Sequence, residues 1–134
     1  CLRPGVAGLS ETITVRSIIG RFLEHGRIYV FANGGEFLSD KNTVMISSAD
    51  LMPRNLRRRV ECFMRLENPT IRKQVLHQIM VALLRDEKNA WYLQPDGSYV
   101  HPQTDETSFS CHEYFMSNPS LSGLGSLAAT QDNG

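Results

Sequence analysis

The stretch RFLEHGRIYVFANGG, Arg21–Gly35, decides how this 134-residue chain folds, because its pattern changes in the middle. In SIIGRFLEHG, Ile18, Ile19, Phe22 and Leu23 recur at i, i+1, i+4 and i+5, which predicts one face of a short helix. Ser17 serves as its N-cap and Gly26 as its C-terminal stop. RIYVFA is β-branched and aromatic and reads as a strand, NGG turns the chain, and TVMIS reads as the partner strand. His25 and Arg27 stand at the junction between the two patterns.

Working outward, SSADLMPRN is a turn in which Ser48 and Asp50 can each cap a short helix. VECFMRL alternates Val60, Cys62, Met64 and Leu66 on one face and predicts a third strand. NPTIRKQVLHQIMVALLR is the clearest helix: Asn68 caps it, Pro69 opens it, and Ile71, Val75, Ile79 and Leu83 recur at spacing four. WYLQPDGSYV carries a Pro-Asp-Gly turn between apolar runs. SFSCHEYFM reads as a short helix, and SNPSLSGLGSLAATQDNG as a low-complexity tail expected to be mobile. Mixed strands and helices predict an α/β or α+β layered domain.

Hydrophobic residues make up 41% and charged residues 21%, the balance of a globular chain large enough for a core. Fourteen basic residues cancel fourteen acidic ones, so no global field draws in nucleic acid or anionic lipid, and any anion site must be local. RNLRRRVE supplies such a locality, with Arg54, Arg57, Arg58 and Arg59. Cys1, Cys62 and Cys111 lack metal-ligand spacing and leave one over, which predicts a reducing, cytoplasmic setting. The longest apolar run, IMVALL, is far short of a bilayer span, and no signal peptide is read at the start. The opening CLRPG reads as mid-protein, so the chain is expected to be a piece of a longer one.

Three segments can carry chemistry. His25 and Arg27, two apart at a strand entrance, face one side and can meet one anion. The imidazole can protonate a phosphate oxygen or attack phosphorus, and the guanidinium can hold oxygens bidentately. A histidine before a glycine stop is equally a favourable helix-dipole partner without any function. SSADLMPRN can leave backbone N–H groups free for an anion, and Asp50 or Asn55 can orient His25 or an arginine; an ordinary capping turn is the plain alternative. The arginine cluster suits a polyanion, or forms a solvated basic edge, and strand alternation sends Arg59 and Glu61 to one face. Arg3 is a further loop cation, His77, His101 and His112 show no ligand spacing, and neither a P-loop nor a dinucleotide fingerprint is present.

The order of these pieces is more specific than any one of them. CLRPGVAGLSETITVRSIIGRFLEHGRIYVF, then ISSADLMPRNLRRRVE, then an Asn-Pro-capped helix, then LQPDGSYV, resembles the C-terminal domain of bacterial-type polyphosphate kinases. That family is in turn similar to the phospholipase D superfamily, with HGR in place of H-x-K and SSAD in place of the following half-site segment. The aspartate that completes H-x-K in phospholipases is not evident after Arg27.

The resemblance implies an α/β, phospholipase D-like domain, incomplete on its N-terminal side. Residues 1–103 are expected to be its catalytic part, and 104–134 an extension, partly helical and then flexible. It implies reversible transfer of the terminal phosphate of ATP to inorganic polyphosphate through a phosphohistidine in an upstream domain. Magnesium is implied as a cofactor, with ligands outside this chain. His25 is implied as the catalytic histidine, and His25, Arg59, Arg3, Arg54 and Arg27 as contacts for nucleotide or phosphate. Leu51 and Trp91 depart from the family pattern, where tryptophan and a basic residue are usual. The partners implied are ATP, ADP and polyphosphate, with no nucleic acid and no transmembrane segment. The full-length enzyme is expected to be a homo-oligomer in the cytoplasm, peripheral membrane association included. Two alternatives stand beside this: a phospholipase D-like phosphodiesterase or nuclease half-domain, and a non-enzymatic polyanion-binding module built on the arginines.

Overall fold

The computed structural model describes residues 2–118, so the predicted mobile tail from Pro119 onward lies outside the described residues. In chain order the elements are β1 (Arg16–Ile18), β2 (Ile28–Phe31), β3 (Thr43–Ser47), α1 (Pro53–Arg58), β4 (Phe63–Arg65) and α2 (Pro69–Gln74). A π-helical turn (Val75–Met80), α3 (Val81–Arg85), β5 (Ala90–Leu93), β6 (Tyr99–Val100) and α4 (Cys111–Ser117) complete them. Among the described residues these form two compact units: one takes residues 2–23 and 83–118, the other Glu24–Ala82. The architecture is α/β, with two small antiparallel sheets.

In the second unit, β2, β3 and β4 form one sheet in sequence order. Ile28 pairs with Ile46, Val30 with Val44, and Met64 with Ile46. Val44, Leu66 and Leu76 are the buried centre, with Ile28, Val30, Leu38, Ile46, Val75 and Met80 packed around them. The β2–β3 turn is longer than a tight hairpin. Asn33 and Gly34 both adopt positive φ there, and Asn42 is buried, its amide donating to the Glu36 carbonyl and accepting from Leu38 N.

The helix predicted across Ile18–Leu23 does not form. Arg16–Ile18 is instead a strand paired with β5, Ser17 opposite Trp91, so Ser17 caps nothing. Residues 19–27 carry no regular structure, and Gly26 stops no helix. The apolar stripe has no surface to cover, with Ile19 64% and Leu23 91% exposed, and so short a helix is not stable without a buried face. Gly20 lies so close to His112 that a side chain there would collide with the imidazole.

Two other patterns shift in detail. The third strand starts at Phe63, and of its predicted inner face only Leu66 is buried; Val60 is fully exposed and Cys62 and Met64 are exposed. The Asn68 helix begins as predicted, its Oδ1 accepting from Thr70 N and Ile71 N. Its spacing-four stripe fails at the centre, where Val81 N donates five residues back to Leu76 O. That wider turn sets Leu76 and Val81 on the buried side and leaves Ile71 exposed.

The other unit holds β1, β5 and β6 in that order, and the β5–β6 hairpin turns on Gln94–Ser98 as the Pro-Asp-Gly signal predicts. Arg16 reaches the carbonyls of Leu83 and Asp86 at the end of α3, the second at 3.4 Å. This places a cation where the helix dipole is negative. The short helix read in SFSCHEYFM is α4, capped by Ser110 Oγ accepting from Glu113 N.

Candidate functional site

Antiparallel pairing decides where the candidate side chains meet. The start of β2, the end of β3 and the start of β4 lie at the same end of one sheet. His25–Arg27, Ser47–Asp50 and Glu61–Cys62 are the segments just beyond those strand ends, and hydrogen bonds hold them in line. Ser47 N donates to Arg27 O at 3.0 Å, and Ser48 N donates to Cys62 O at 3.1 Å. Cys62 N returns a bond to Ser48 Oγ at 3.0 Å.

The best-defined contact is the pair Arg27–Asp50, with Nε donating to Oδ1 at 2.8 Å. Its effect is mutual. The hydrogen bond to Asp50 holds the Arg27 guanidinium charged, with its pKa raised further. The same bond holds Asp50 below the usual carboxylate range against the opposing effect of burial, aided by the charges of Arg27, His25 and Arg54. The charges of three of the predicted cations thus act on one carboxylate, which contacts Arg27 among them. It orients Arg27, as the sequence allowed, and it caps no helix: α1 starts after Met52 without a side-chain cap.

His25 is exposed, in the extended segment that leads into β2. Arg54 is in the first turn of α1, and Arg59 is the residue that ends it. Arg59 keeps more than half its side chain exposed while its Nη1 approaches Glu61 Oε1 at 4.0 Å. Glu61 also accepts from the Ser48 hydroxyl. A shallow cleft of about 150 Å³, bounded by Ile46, Ser47, Ser48, Cys62 and Met64, opens beside this network. Asn55, the other orienting group foreseen, is buried with its Oδ1 unpaired among the described residues, and it holds neither His25 nor an arginine by a recorded bond.

The fifth predicted cation, Arg3, belongs to the other unit. There it borders a cleft of about 320 Å³ with Leu2, Leu93, Gln94 and Gly97, and its carbonyl accepts from Ser10 Oγ at 2.7 Å. Of the remaining histidines, His112 is buried against Phe22 with its Nδ1 facing Phe22 N, and His101 stacks on Trp91.

The sequence reading passed over Glu61 as a member of the site. The signal was its position two residues after Arg59, on the same face. Ser48, read there as a capping group and as part of an anion-binding turn, instead donates its hydroxyl to Glu61.

In sum of charge, three guanidiniums and an exposed imidazole stand against two carboxylates, which favours a polyanion at this sheet end. A magnesium ion does not fit these residues. Asp50 is committed to Arg27 and Glu61 to Ser48 and Arg59. Among the described residues no group of three or more His, Cys, Asp or Glu can hold a metal.

Residues 1–112 match the family model of polyphosphate kinase C-terminal domain 2. The chain belongs to the polyphosphate kinase family. It is 59% identical over 124 residues to a polyphosphate kinase of Erythrobacter litoralis, covering 92% of this chain and 17% of the relative. It is 50% identical over 117 residues to the polyphosphate kinase of Synechocystis, covering 86% and 15%. The crystal structure of polyphosphate kinase from Porphyromonas gingivalis resembles it with a TM-score of 0.73 and 32% identity, over 85% of this chain and 17% of that one. The chain therefore spans about one sixth of the length of the polyphosphate kinases it matches. Among the described residues no helix is long and apolar enough to cross a membrane.

Proposed function

We propose that this chain supplies the second phosphate-binding half of a polyphosphate kinase active centre, in an enzyme that moves the terminal phosphate of ATP reversibly onto inorganic polyphosphate. The observation that carries the reading is the gathering of His25, Arg27, Arg54 and Asp50 at one sheet end, in a chain of this family. The fold is assigned to the phospholipase D-like class, with residues 1–103 as the catalytic part.

The chemistry follows from the side chains. Phosphoryl transfer is mostly positioning and charge stabilisation. Arg27, its Nε fixed by Asp50, keeps its two terminal nitrogens for phosphate oxygens. Arg54 and Arg59 add donors from the two ends of α1. His25, exposed beside this array, is the general-acid candidate for the departing ADP oxygen. Arg3 is assigned as a further phosphate contact. ATP, ADP and polyphosphate are the ligands, the nucleophilic histidine is supplied by the upstream domain, and the full-length enzyme is a cytoplasmic homo-oligomer.

The test is His25→Ala in the full-length enzyme, with both directions assayed. The expected result is a loss of about a hundredfold or more in kcat for polyphosphate synthesis and for ATP regeneration, the range for removing a general acid. Near-wild-type rates in both directions overturn the assignment. If polyphosphate binding then survives His25→Ala but not Arg59→Ala, the polyanion-binding reading replaces it.

A further inference from the structure

Glu61 is a carboxylate with only 12% of its side chain exposed, in the segment between α1 and β4. A carboxylate so placed needs partners to hold its charge. Its two oxygens address different ones: Oε2 accepts from the Ser48 hydroxyl, and Oε1 faces Arg59 Nη1 at 4.0 Å. Ser48 Oγ in turn accepts from Cys62 N, so the hydroxyl is fixed on both sides. The charge of Glu61 acts on Arg27 as well.

As a stability device this arrangement is weak, because a 4.0 Å pair with a mostly exposed arginine contributes little. As an aiming device it is well built. Arg59 ends a helix in extended conformation, with its long side chain otherwise free to swing into solvent. Glu61 is the one acidic group within ion-pair distance of it among the described residues.

We propose that Glu61 is a positioning residue of the phosphate site: anchored by the Ser48 hydroxyl that donates to its Oε2, it holds the Arg59 guanidinium at the sheet end so that the guanidinium faces the phosphate chain. The inference rests on the function proposed above. Glu61 takes part in neither proton transfer nor substrate contact; it acts through Arg59, with Ser48 as its anchor.

The experiment uses the full-length enzyme, with inorganic polyphosphate and ATP as substrates. Glu61→Gln removes the charge at nearly constant shape. The expected result is a KM for polyphosphate raised about tenfold, with kcat within about threefold of wild type and an unchanged melting temperature. Combining Glu61→Gln with Arg59→Ala is expected to be no worse than Arg59→Ala alone, because the second change removes what the first one aims. Glu61→Asp keeps the charge with a shorter reach; it is expected to give a smaller rise of the same sign and serves where Gln disturbs folding.

An unchanged or lowered KM in Glu61→Gln overturns the proposal, the lowered value meaning that Glu61 competes with substrate for Arg59. Fully additive effects with Arg59→Ala overturn it too. Failure of the underlying function is separable: it shows as wild-type kinetics in His25→Ala and Arg59→Ala themselves, whatever Glu61 does.

Discussion

A carboxylate taken out of water keeps its charge only where donors surround it, and Asp86 is 1% exposed. Burial works to raise its pKa, but donors from Asn89 and from Cys111 N outweigh that and leave it below the usual carboxylate range. Asp86→Ala removes the acceptor that those donors share, and is expected to cost about 2–4 kcal/mol in chemical denaturation. A lowered folded pKa fixes the sign of the pH dependence. The stabilisation is complete above the unfolded aspartate value of about 3.9 and is lost as pH falls through the lower folded value. Acid titration of Asp86→Asn is therefore expected to show a shallower loss of stability below pH ~4 than wild type. Gly20 makes a second prediction at this scale. A Cβ there falls 2.4 Å from His112 Nδ1, so Gly20→Ala is expected to destabilise by about 1–3 kcal/mol. In a His112→Ala background the same change is expected to cost much less, read as the shift in denaturant midpoint.

Elements record which local signals survived folding. Asn68 and Pro69 marked the start of α2 correctly because capping is decided by adjacent atoms: Asn68 Oδ1 reaches Thr70 N and Ile71 N whatever the rest of the chain does. Asn68→Ala is expected to cost about 1 kcal/mol, measured by urea unfolding. The stripe of Ile71, Val75, Ile79 and Leu83 was legible as a helix, yet not as the buried face. The wide turn at Val75–Met80 resets the angle between successive residues, and a fixed 3.6 period has no way to anticipate that. The stripe at Ile18–Leu23 misled for the opposite reason. Ile18 takes part in a strand whose partner, Ala90, lies far along the chain, and long-range pairing overrides a short local pattern. The candidate site was legible in residue types: His25, Arg27, Asp50 and Arg54 all stand in two short segments. That Asp50 or Asn55 would orient a histidine or an arginine was legible too; which pair forms, Asp50 with Arg27, and that Glu61 ties Ser48 to Arg59, depended on strand register and was not.

Seen as a whole, the molecule has as many acidic as basic residues, yet one sheet end concentrates cations. Binding of polyphosphate through that end is expected to weaken steeply with added salt, in measurements on the full-length enzyme from low to physiological ionic strength. The chain spans about one sixth of the polyphosphate kinases it matches. The 134-residue chain incubated alone with ATP is accordingly expected to carry no phosphohistidine, checked by labelling with radioactive γ-phosphate under alkaline work-up. Labelled histidine in this chain would move the nucleophile into it and overturn the division of roles proposed between the two halves.

The β2–β3 turn leaves the same sheet from the end opposite His25 and Asp50, a strand of four residues away, or about 13 Å. Its tip at Asn33–Gly34 is held by its own side chains, Asn33 Nδ2 donating to Lys41 O and Thr43 Oγ1. For protein engineering this is a usable port. A peptide tag or fluorophore attached at that tip stays on the side of the sheet away from the proposed phosphate site.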